Sequence, residues 1–156
     1  MCGVPIRAAT GQLIDFRTVK MEQSLWRIEW DADMAFGIPE LDGQHQQLVV
    51  LINALNEAIV SGATTDQLAG LMDAILADSR NHFGDEERIL TDADYPHRKG
   101  HKLLHEILEN ELAHVKQDCD GAKDATLWPE YGLLVRQLFL NHFLDETKKY
   151  RAFRAP

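Results

Sequence analysis

The chain of 156 residues is poor in cysteine, holding only Cys2 and Cys119. Two thiols build neither a disulfide framework nor a cysteine zinc site, and a reducing cytoplasm is the expected compartment. Positive charge is also short: 16 Lys and Arg face 25 Asp and Glu, for a formal net charge of −9. Nothing would displace counterions along a phosphate backbone, so nucleic acid is excluded as a partner. No apolar run approaches the roughly 18–20 residues that span a bilayer, so no membrane partner is expected. The N-terminus has no charged segment leading into an apolar core, so no secretory signal is read. Strong strand alternation, internal repeats and low-complexity tracts are missing too. The length suits one domain, able to bury about 68–70% of its unfolded surface without staples. An apolar share of 45% argues against disorder. What the sequence does have is seven His, and their positions need explaining.

The chain reads as an N-terminal extension over 1–24 and a helical domain over 25–156. Met21 is a second candidate start, which would make residues 1–20 peripheral. Trp26 to Ile38 reads as an irregular arm, punctuated by Phe36-Gly37-Ile38-Pro39. From Glu40 the period is helical: Leu48, Val49, Ile52, Leu55 and Ile59 share one face, and Ser61-Gly62 end the helix. Thr65 is the expected N-cap of a second helix whose apolar residues run from Leu68 to Leu90, until Asp94-Tyr95-Pro96 break it. A third helix carries Leu104, Ile107, Leu108, Leu112 and Val115 and fades at Asp118. After a polar turn from Cys119, Thr126 is the expected cap of a fourth helix, with Pro129 in its first turn. Leu133, Leu134, Leu138 and Phe139 continue that helix to about Arg151. Helices of about 20 residues, each near 30 Å long, joined by short links, predict an all-α, antiparallel up-down-up-down four-helix bundle with an irregular N-terminal arm.

Each predicted helix carries a His on or beside its apolar face. The first has His45; the second has His82, with Glu86 four residues on; the third has His101 and His105; the fourth has His142, with Glu146 four residues on. On an ideal α-helix a spacing of four stacks two side chains on one face, about 6 Å apart along the axis. One His on a helix is ordinarily a surface or satisfied core residue, and an H-x-x-x-E pair is ordinarily a surface pair. Five imidazoles and two carboxylates converging from four helices are not, because burying them without a metal would cost several kcal/mol for each unpaired group. The set is enough for two metal ions sharing bridging carboxylates, and imidazole with carboxylate suits iron, with zinc, copper and nickel also accommodated. His97 and His114 fit no constellation and read as exposed.

These residues resemble the bacterial hemerythrins, within the wider hemerythrin-like HHE cation-binding family. Phe36-Gly37-Ile38-Pro39-Glu40-Leu41-Asp42-Gly43-Gln44-His45 is similar to the family's opening, His82-Phe83-Gly84-Asp85-Glu86-Glu87 to its H-F-x-x-E-E motif, and Tyr95-Pro96 with His101 and His105 to its Y-P-x-x-x-x-H-x-x-x-H motif. His142 in Asn-His-Phe, with Lys148-Lys149-Tyr150, completes a resemblance over about residues 25–153. It implies a non-haem di-iron centre that binds dioxygen. His101, His105 and His142 would hold one iron, His45 and His82 the other with a position left open, and Glu86 would bridge. The oxygen-carrying members place an Asp five residues after the fourth-helix His, where this chain has Thr147. Glu146, on the same face as His142 of an ideal helix, is therefore the expected second bridge, with Asp145 a weaker candidate.

The expected function is reversible oxygen binding, as carrier, store or sensor, in a dry pocket that Leu48, Phe83, Phe139 and Phe143 would build. A redox- or iron-responsive module, or an iron donor, is the alternative that the changed carboxylate suggests. A di-iron oxidase or peroxidase would prefer four Glu and two His in E-x-x-H pairs, and no such pair falls at the candidate positions, so no enzyme is expected. Five placed His also exceed the single one of a phosphotransfer bundle. A monomer is expected, with weak homo-oligomerisation as the alternative, and a sensor would need a further protein partner.

Overall fold

Prolines and capping side chains punctuate the helices of the computed structural model, which describes residues 26–121 and 126–155. The 1–24 extension lies outside the described residues. Helix α1 spans Pro39–Val60, α2 Thr65–Asp92 and α3 Arg98–Gly121. The fourth rod of the bundle is built from α4 (Trp128–Asn141), a π-wound segment (His142–Glu146) and α5 (Thr147–Arg154). No strand occurs among the described residues, and the molecule is an all-α four-helix bundle.

The arm is tied to α1 by amide side chains. Asn53 donates to the Ile28 carbonyl and accepts from the Ile28 N–H, at 2.9 and 2.7 Å, and Asn56 donates to the Trp26 carbonyl. Asp42 accepts the N–H groups of Phe36 and Gly37, which fixes the arm's approach to α1. Gly62, at φ +74°, closes α1, and the Ala63 N–H bonds back to the Ala58 carbonyl. Thr64, not Thr65, caps α2. Its hydroxyl accepts from the Gln67 N–H while the Gln67 side chain accepts from the Thr64 N–H, a reciprocal box that needs the Gln three residues on. Thr126 does not cap α4 either. The N-cap is Leu127, without a side-chain cap, and Pro129 sits in the first turn where a missing N–H costs nothing.

Two apolar clusters lie at different heights along the bundle. One contains Leu48, Phe83, Leu108, Phe139 and Phe143. The other contains Phe36, Leu41, Leu90, Tyr95 and Tyr150. Chain order alternates. The chain passes from the second cluster to the first across His45 on α1, back across His82 and Glu86 on α2, forward across His101 and His105 on α3, and back past His142 on the fourth rod. The rods therefore run up, down, up and down, and the polar residues form one layer between two apolar ones. Leu104, Ile107, Leu133 and Leu134, expected on core faces, are exposed. The faces that turn inward carry His101, His105, Leu108, Leu112 and Val115 on α3, and Trp128, Gly132, Val135 and Phe139 on α4.

Candidate metal centre

The layer brings His45, His82, Glu86, His101, His105 and His142 together, all buried. One carboxylate oxygen, Glu86 Oε2, faces the Nε2 atoms of His105 at 3.0 Å, His101 at 3.2 Å, and His82 and His142 at 3.4 Å each. His45 Nε2 lies 3.0 Å from His82 Nε2. Two groups of donors lie close enough to grip a cation: Glu86, His101, His105 and His142, and His45, His82 and His142. His97 and His114 are exposed and take no part.

The outward nitrogens fix the tautomers. His45 Nδ1 donates to the Met34 carbonyl at 2.9 Å, and His82 Nδ1 to Gln44 Oε1 at 3.1 Å. Gln44 cannot turn its amide round without losing its own bond to Asp85, 2.8 Å away. His105 Nδ1 donates to Glu87 and His101 Nδ1 to Glu146, at 3.1 and 2.9 Å. Each of those acids is in turn held by a lysine, Lys102 on Glu87 and Lys149 on Glu146. With its proton on Nδ1, each neutral ring points a bare Nε2 lone pair inward. The lone pairs of His45 and His82 then face each other at 3.0 Å, which is repulsive unless a cation lies between or beside them. Both oxygens of Glu86, Nε2 of His101 and His105, and both nitrogens of His142 are buried without a hydrogen bond. This donor set fits a metal.

Protonation agrees. Burial pulls His45, His82 and His105 below the usual histidine range, which keeps the rings neutral. Burial alone would push Glu86 up, but His142 and the contacts with His101 and His105 outweigh it and hold the carboxyl well below its usual range. For His101, burial is outweighed by Glu86 and Glu146, which raise it. Neutral rings at His45, His82 and His105 beside an ionised Glu86 are the forms metal ligands take, and His101 would give up any proton on its inner nitrogen to a bound cation.

Glu146 does not join either donor group. Its Oε2 lies against the outer nitrogen of His101 and its Oε1 against Lys149 Nζ, 2.6 Å away. The expectation assumed α geometry, but His142–Glu146 is π-wound. Bonds from i to i+5 put an extra residue in the turn, so the residue five on comes round to the side of His142. That residue is Thr147, buried at 1% exposure, while Asp145 is exposed. Sequence reasoning assigned no role to Gln44, Glu87 or the Met34 carbonyl. The signal was adjacency, since Gln44 directly precedes His45 and Glu87 directly follows Glu86.

Leu48, Phe83, Phe139 and Phe143 are buried in the apolar cluster beside this layer. The Phe143 ring lies 4.4 Å from that of His45, and Phe83 stacks on His105 at 4.1 Å. On the opposite flank an open cleft of about 860 Å³, lined by Tyr95, His97, Leu104, Lys149 and Phe153 among others, reaches His101 and Glu146. Among the described residues no helix is long and apolar enough to cross a membrane.

Fold and site together define a histidine-rich metal-binding helical bundle. Residues 37–153 match the hemerythrin HHE cation binding domain. The chain is 29% identical over 121 residues to a bacteriohemerythrin of Pseudomonas paraeruginosa, covering 78% of this chain and 77% of the relative. A bacteriohemerythrin of Stenotrophomonas maltophilia is 24% identical over the same shares. A hemerythrin-like protein of Naegleria gruberi is 27% identical, over 78% of this chain and 89% of its own. The chain belongs to the hemerythrin family.

Proposed function

We propose that this layer holds two iron ions and binds dioxygen reversibly, as a carrier, store or sensor rather than an enzyme. The observation that carries the reading is the inward set around Glu86: the Nε2 atoms of His101 and His105 and both nitrogens of His142 are buried without a hydrogen bond, and those of His45 and His82 face only each other. His101, His105 and His142 would hold one iron, His45 and His82 the other, and Glu86 would serve both. When bound, two ferrous ions supply the electron pair that dioxygen takes up on binding and returns on release. His45 and His82 offer their side two nitrogens against three on the other, which leaves space there for a small ligand. Phe143 against His45 and Phe83 against His105, with Leu48 and Phe139 in the same apolar cluster, exclude water from that face of the layer and so favour binding over turnover. The test is optical. Deoxygenating the iron-loaded protein should bleach a charge-transfer band and air should restore it over repeated cycles. One-way conversion to a ferric form would overturn the reading.

A second reading, an iron donor or iron-responsive module, draws on the open cleft at His101 and Glu146. It expects the reduced protein to lose iron to a chelator within the mixing time of the assay. Retention through many oxygenation cycles would count against it.

A further inference from the structure

The two donor groups are unequal, and the difference lies in carboxylates. The group on α2, α3 and the fourth rod has three imidazoles and Glu86. The His45–His82 side shares His142 with the first group and has no acid of its own. The two acids that touch the outer nitrogens of the ligand rings, Glu146 and Glu87, are both turned outward and held there: Glu146 between His101 Nδ1 and Lys149, Glu87 between His105 Nδ1 and Lys102. The place on the fourth rod that the π turn brings round to His142 is filled by Thr147, a neutral hydroxyl. One carboxylate must then serve two divalent ions. A cation in the first group takes Glu86 and His142, and a second finds two neutral imidazoles with only a share of a carboxylate already spoken for. Coulomb attraction inside a dry layer is large, so the missing charge weighs heavily on the second ion and lightly on the first.

We propose that the centre fills in order: a tight first site at Glu86, His101, His105 and His142, then a weak second site at His45 and His82, with Thr147 in place of an acid setting the gap between them. The inference rests on the metal reading above and adds the sequence of loading and the residue that sets it. Loss of an outer carboxylate partner alone lowers metal affinity by about 10–100-fold, so the lack of an inner one predicts a gap on the order of 100-fold. The centre would then exchange its second ion while keeping the first, and the pair would be complete only where free metal is plentiful.

The test is a titration of the demetallated full chain with Co²⁺ under argon, following the visible bands and competing with a chelator. The expected result is two steps, the second weaker by about 100-fold. Thr147→Asp should tighten the second step by about tenfold or more and leave the first nearly unchanged. His45→Ala, which spares the first group, should abolish the second step alone, so the ordering is readable even where a buried Asp impairs folding. Two steps of equal strength in the parent chain would overturn the inference and leave the metal reading standing. A Thr147→Asp protein that folds and binds with an unchanged second step would overturn the role of Thr147. No Co²⁺ bound at any concentration would overturn the metal reading itself.

Discussion

On α2, His82 and Glu86 stand four residues apart, and on the fourth rod so do His142 and Glu146, yet only the first acid joins the metal donor groups. Along α2 the winding is regular and Glu86 points into the ring of imidazoles, 3.4 Å from His82 Nε2. Along the fourth rod the winding loosens at the ligand itself, Thr147 comes round to the side of His142, and Glu146 lies at the outer edge of His101. The same H-x-x-x-E signature therefore makes an inner carboxylate in one helix and an orienting carboxylate in the other. The side chain is constant, and the difference lies in the backbone hydrogen-bond period beneath it.

The sharpest way to break the comparison is to neutralise each acid in turn. Glu86→Gln removes the charge shared by both donor groups while keeping the shape. Metal content after gel filtration should fall by more than about 100-fold in retention, beyond the range of an outer-partner loss. Glu146→Gln should cost no more than about tenfold in retention. A melting experiment separates them further. At free metal about 100 times its dissociation constant, binding adds about 2.7 kcal/mol to the folded state. In a domain of this length that raises the melting temperature by roughly 5–10 °C over the metal-free protein. Glu86→Gln should lose that gap, and Glu146→Gln should keep most of it. Equal melting of metal-free and metal-loaded parent protein would contradict the whole assignment.

A smaller effect sharpens the comparison. Glu146 and Glu87 occupy equivalent places, each between the outer nitrogen of a histidine and a lysine. Glu146→Gln and Glu87→Gln should therefore weaken metal retention by similar factors, about tenfold each, through a less firmly oriented ring. Glu146 behaving like Glu86 instead would show that it serves as an inner carboxylate and not as an orienting partner of His101.

Much of this was legible in the sequence. The 3.6-residue period of Leu48, Ile52 and Leu55 and the breaks at Gly62 and Pro96 mark helices whatever packs on them, and the placed histidines have no other economical explanation. The π turn was not legible, because His142 to Thr147 contains no residue that demands it, and an ideal-helix projection then puts Glu146 where Thr147 belongs. The outer partners were hidden for a related reason. Gln44 and Glu87 look like ordinary surface residues until the neighbouring rings are seen to point their Nδ1 atoms at them. The N-cap of α2 was misplaced by one residue because Thr64 and Thr65 are both good caps, and only the reach of Gln67 chooses between them.

The smallest predicted effect concerns Asp145, three residues after His142 and the other acid a sequence reading offers the centre. In the π segment it is exposed while its neighbour Glu146 is buried. Asp145 helps raise the pKa of Lys149, after the stronger influence of Glu146. Asp145→Ala should leave the unfolding free energy within about ±0.5 kcal/mol of the parent, as surface changes do, and leave metal content unaltered. If instead Asp145→Ala cost as much metal as Glu146→Gln, the fourth rod would have to wind as a regular α-helix or shift its register in the loaded protein. The contrast between the two H-x-x-x-E pairs would then need another cause than the π turn.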